Sequence, residues 1–118
     1  GRTEYSSAGY RIGGHSFDVS FVWNFEQRLM EIRVGSGFVA FDRTDAAAAV
    51  EAALVEAHGR FTYVIADRTV DEDDTHSVIR KLEWGFPTTT IVFHHYRTVS
   101  PAGTCDALTV RYLATGGV

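Results

Sequence analysis

Asp71-Glu72-Asp73-Asp74-Thr75-His76-Ser77-Val78-Ile79-Arg80-Lys81-Leu82-Glu83-Trp84-Gly85 is the stretch on which the fold turns. Four acids ahead of Val78, Ile79 and Leu82 suit a helix whose N-terminus attracts negative charge, and Gly85 and Pro87 suit its end. The same acids invite a calcium loop, but the glycine and the spaced ligands of such a loop are missing. The segment is therefore predicted to be the second of two helices.

The first is clearer. Thr44 to His58 is alanine-rich, follows Asp42 and Thr44 as candidate caps, and stops before Gly59. Its apolar stripe is Val50, Leu54 and Ala57, with Ala46 and Ala53 beside it. Phe61-Thr62-Tyr63-Val64-Ile65 forms a short extended run between the two helices.

Hairpins flank this helical centre. From Gly14 to Trp23, Phe17, Val19, Phe21 and Trp23 alternate with Asp18, Ser20 and Val22, the period of a half-buried strand. After Asn24-Phe25-Glu26, Met30, Ile32 and Val34 alternate with Glu31 and Arg33, and Gly35-Ser36-Gly37 marks a kink or bulge before Phe38-Val39-Ala40-Phe41. Thr88 to Thr98 and Thr104 to Ala114 make a second hairpin around Pro101-Ala102-Gly103. In the former strand His94 and His95 point to opposite faces, His94 with Val92 and Tyr96, His95 with Ile91, Phe93 and Arg97. The predicted fold is α+β: an antiparallel four-stranded sheet, ordered ββααββ, with both helices on one face and residues 1–118 forming one domain.

With 118 residues, a net charge of −4 and 22% charged residues, the chain has the composition of a globular domain. Eleven scattered Lys and Arg residues in an acidic chain argue against a nucleic-acid partner. No apolar run approaches the roughly 20 residues that span a bilayer, so no membrane partner is expected and a cytoplasmic location is the default. Cys105 is the single cysteine, which excludes an intrachain disulfide and a cysteine metal cluster.

Several short stretches together resemble the tunnelling-fold family of 6-pyruvoyl and 6-carboxytetrahydropterin synthases. Tyr5-Ser6-Ser7-Ala8 is similar to that family's Phe-Ser-Ala-Ala strand, Gly14-His15-Ser16-Phe17-Asp18-Val19 to its His-Gly-His-Asn-Tyr strand, and Gly37-Phe38-Val39-Ala40-Phe41-Asp42 to its entry into the first helix. Leu54 to His58 resembles its Leu-Asp-His, and Asp74-Thr75-His76-Ser77 its Pro-Thr-Ala-Glu-Asn. The departures are chemical. Of three zinc-binding histidines only His15 has a counterpart, Gly9 and Gly13 occupying the other places, and one imidazole does not make a three-ligand zinc site. The reactive cysteine is missing, Ala57 replaces the aspartate before His58, and Val92-Phe93-His94-His95-Tyr96 holds no carboxylate for a pterin ring.

The resemblance thus implies a zinc-independent, non-pterin biosynthetic enzyme with no cofactor. It would use histidine acid/base chemistry for a dehydration, cyclisation or isomerisation of a small molecule. His15 and His58 are the expected catalytic residues, and His94, His95, Tyr96, Asp42 and Glu83 the expected substrate-binding ones. The alternative is a non-catalytic small-molecule-binding or assembly protein that retains the fold. In either case unpaired sheet edges predict a homo-oligomer with sites between subunits.

Overall fold

A computed structural model describes residues 3–115, with the backbone alone considered for residues 3–8 and Ser36. Three strands, β1 (Thr3–Ile12), β2 (His15–Trp23) and β3 (Leu29–Val39), precede one helix, α1 (Thr44–His58). Four more follow: β4 (Tyr63–Glu72), β5 (Thr75–Gly85), β6 (Thr89–Ser100) and β7 (Gly103–Ala114). All seven belong to one antiparallel sheet in the order β1-β2-β3-β7-β6-β5-β4.

The predicted four-stranded sheet with two helices is thereby corrected. The supposed second helix is the β4–β5 hairpin, in which Glu72 pairs with Thr75 and Asp73 turns the chain at φ 55°. A short carboxylate side chain tolerates that left-handed conformation, so the acids mark a two-residue turn. Beyond them Val78, Arg80, Leu82 and Trp84 share one face at period two, and Arg80 hides this pattern from a reading of apolar residues alone. The additional strand β1 joins β2 through Gly13-Gly14, with both glycines at positive φ. The Gly35-Ser36-Gly37 bulge is present, with the β3–β7 register shifting between Ser36 and Val39.

Partners across an antiparallel ladder share a face. Val19, Val34, Val110, Phe93 and Leu82 form one continuous row across five strands, and Phe21, Ile32, Tyr112, Ile91 and Trp84 form the next. Helix α1 lies over this face, burying Ala46, Ala47, Val50 and Leu54, while Ala57 of the predicted stripe is exposed. Each large side chain removed from water here contributes about 1.5–3 kcal/mol. Small residues bring the helix close: a Cβ on Gly13 would lie 2.8 Å from that of Ala49.

Three of the polar ties that hold the helix in place are spread along its length. At its start, buried Asp106 accepts hydrogen bonds from the Arg43 N–H (2.8 Å) and engages His95 Nε2 (3.0 Å). Midway, Arg80 donates to both carboxylate oxygens of Glu51 (2.6 and 2.9 Å) and pairs with Asp67 of β4. At its end, Trp84 Nε1 donates to the Gly59 carbonyl at 2.8 Å. All three tie to β5–β7, and over β1–β3 the lower end of the sheet is left partly uncovered.

Candidate functional site

That gap is a cleft of about 640 Å³ lined by Gly9, Tyr10, Val19, Phe21, Ile32, Val34, His58 and Tyr112. Its floor is the apolar face of β2 and β3, and its polar groups arrive from three different elements. Tyr10 comes from β1, Tyr112 from β7, and His58 from the last turn of α1. The His58 ring stands 6.5 Å from Tyr112 and 5.9 Å from Phe86, centroid to centroid. Burial, and secondarily the proximity of Tyr10, pushes the Tyr112 phenol above its ordinary value, so it is a neutral donor at physiological pH. Size, an apolar floor and few polar tips are the properties of a small-molecule site.

His15 does not share this cleft. It heads β2 opposite Ile12, six positions up the strand from Phe21, which is about 20 Å at strand rise. The two expected catalytic histidines therefore stand at opposite ends of the sheet. The strand-face assignment of the adjacent histidines holds, and it separates them as well. His95 is buried against Asp106 under the helix, whereas His94 opens on the other side of the sheet.

The remaining expected binding residues are dispersed. Asp42 accepts from the Thr44 backbone N–H (2.7 Å) and from Arg97 (3.0 Å), organising the entry to α1. Its carboxyl is held below the ordinary range, first by the Thr44 hydroxyl and then by the Thr44 N–H and Arg97. Tyr96 packs edge-on against Phe38 at 5.8 Å and lines a shallow hollow with Ser77 and Thr98, whose hydrogen bonds lower its pKa, Thr98 contributing most. Glu83 sits on the open face beside Val92, between β4 and β6.

Tyr10 and Tyr112 escaped the sequence reading. Tyr10 lay just past Tyr5-Ser6-Ser7-Ala8, a stretch that only a family resemblance marked as a strand, and Tyr112 looked like one more alternating residue. Among the described residues, no three His, Cys, Asp or Glu side chains gather as a metal site would need. No helix is long and apolar enough to cross a membrane. Comparison with protein-family models, with curated proteins and with solved structures finds no match to this chain.

Proposed function

We propose that this protein binds a small molecule with an apolar body and one polar end in the cleft beside His58. The reading rests on the lining: aliphatic and aromatic side chains on the floor, with the Tyr10 and Tyr112 phenols and the His58 imidazole at the wall. An aromatic body would stack on Phe21 while its hydroxyl or carbonyl met the phenols. Conversion of that ligand is the second reading. It is favoured by the placement of His58, since one imidazole beside two phenols suffices to relay a proton in a dehydration, cyclisation or isomerisation.

A fluorescence titration with N-phenyl-1-naphthylamine, an uncharged probe of apolar sites, tests the binding. Saturable one-to-one enhancement is expected, and Ile32→Trp, which fills the cleft from its floor, should weaken it by at least about tenfold with the circular dichroism spectrum unchanged. Unaltered binding in that variant would remove the cleft from consideration. His58→Ala should leave probe affinity within about threefold yet abolish turnover of any ligand the protein converts. Binding without conversion would select the first reading.

Self-association belongs to the same proposal. Strand β4 is an edge of the sheet and exposes Tyr63, Val64 and Ile65, an invitation to pair with a second copy. Light scattering on the eluting protein is expected to give a multiple of the chain mass, and a monomer at micromolar concentration would count against oligomerisation.

A further inference from the structure

The face of the sheet that α1 does not cover carries its own hollow, about 630 Å³ in volume, across the middle strands. Its cations come from three strands. Arg33 of β3 and Arg111 of β7 are direct cross-strand partners, and in the next row Lys81 of β5 stands opposite His94 of β6. Like charges set opposite each other on a ladder repel. The structure answers with Glu31, a carboxylate only 3% exposed, which accepts from Arg111 (2.7 Å) and from Arg33 (2.8 Å). The Arg111 hydrogen bond is the main cause of its lowered pKa.

One carboxylate does not exhaust two guanidinium groups, each of which has five N–H donors in a fixed fork. Arg111 Nε is buried and has no hydrogen-bond partner among the described residues. Lys81 forms no hydrogen bond or ion pair there either. Glu31 therefore works as a brace that aims both forks while leaving donors unspent, and Val92, set between Arg111 and Glu83 in its own row, supplies a dry floor. Asp18 is the one acid on the lining, facing three cations in a protein whose net charge is −4. Diffuse attraction does not explain such a concentration of positive charge in an acidic chain.

We propose that this hollow is an oxyanion site, in which Arg33, Arg111 and Lys81 bind a phosphate or carboxylate group of a small molecule over Val92. It is independent of the cleft beside His58, from which the thickness of the sheet separates it. His94 makes the site responsive to pH. Burial, then the Lys81 charge and then His95, hold its imidazole below the ordinary 6.5, so it is neutral when the site is empty at neutral pH. The groups around it are Lys81 and, one row away, Glu83 from β5, Arg111 and Thr109 from β7, Arg33 from β3, Asp18 from β2 and Tyr96 on its own strand. An anion seated among them offsets the cationic repulsion and favours protonation. By linkage, the midpoint of His94 rises on binding, and binding tightens as pH falls through that midpoint.

The test is a nuclear magnetic resonance titration of the full chain with inorganic phosphate and, separately, with citrate, at ionic strength held constant with potassium chloride. Saturable shifts are expected at Arg33, Lys81, His94 and Arg111, with an upward move of the His94 midpoint. Lys81→Gln removes a charge that makes no ion pair, leaves the fold intact and should weaken binding by about tenfold. Arg111→Lys, which keeps the charge but loses the fork, should also weaken it, and a preference for phosphate or for citrate names the group. Shifts that potassium chloride alone reproduces, or that persist unchanged in Lys81→Gln, would overturn the site.

Discussion

Replacing Asp106 by alanine is expected to remove roughly 3–5 kcal/mol of stability, from about 1–3 kcal/mol for each of two buried hydrogen-bonding partners left unsatisfied. Asp106 is fully buried and carries both the His95 imidazole and the Arg43 backbone N–H, so its loss orphans two polar groups and leaves a void. Arg43 also spreads its guanidinium over the Phe17 ring at 4.8 Å, so the entry to α1 loosens on both sides. Asn at the same position keeps the shape and an oxygen for Arg43, and should cost only about 1–2 kcal/mol. Against a total of about 5–15 kcal/mol for a domain of this kind, urea unfolding separates the two variants easily. A loss below about 1 kcal/mol in the alanine variant would mean that this network does not secure the helix.

Gly35→Ala is the second large effect. Gly35 has φ +114°, and a Cβ there would lie 2.2 Å from the Leu108 carbonyl oxygen and 3.1 Å from the Thr109 Cα. Both obstacles are backbone of β7, which cannot rotate aside as a side chain would, so the β3–β7 pairing must open around it. Strain and lost pairing together should exceed about 3 kcal/mol. The comparison is Gly37→Ala, two residues on, where an added Cβ meets nothing within 4 Å and stability should change by no more than about 0.5 kcal/mol. Equal urea midpoints for the two variants would refute the close approach.

Much of this architecture was legible locally. Helix α1 announced itself by alanine and by Gly59 after it, although Arg43, and neither Asp42 nor Thr44, stands at its N-cap, and the β6–β7 hairpin by alternation around Pro101-Ala102. What misled was punctuation. Asp73-Asp74 and Gly13-Gly14 are both two-residue turns, yet one reads as a helix preface and the other as a short glycine pair. Arg80 completes the error, because a charged residue on the covered face is explained by Glu51, which lies 29 positions away, and by Asp67 of the neighbouring strand. Long range also concealed the candidate sites. Tyr10, His58 and Tyr112 meet across three elements, and Arg33 and Arg111 become neighbours only through the β3–β7 pairing. His94 and His95 were correctly set on opposite faces because that inference needs only the period of a strand.

The β3–β7 pairing stands apart from every other in the sheet, since all remaining neighbours are consecutive in the chain. Two meanders, β1–β3 and β4–β7, can therefore form from local turns, but joining them must close a loop from Val39 to Asp106 at the least. The entropy of that closure is about 4 kcal/mol before any contact compensates it, which makes docking of the half-sheets the slow event in folding. Until then β3 and β7 are bare edges, open to pairing with the wrong chain. Arg33 and Arg111 sit on those two edges, where a charge deters stray strands. Glu31, by accepting from both, admits each as the other's rightful neighbour, so one carboxylate serves as the latch between halves that would otherwise repel.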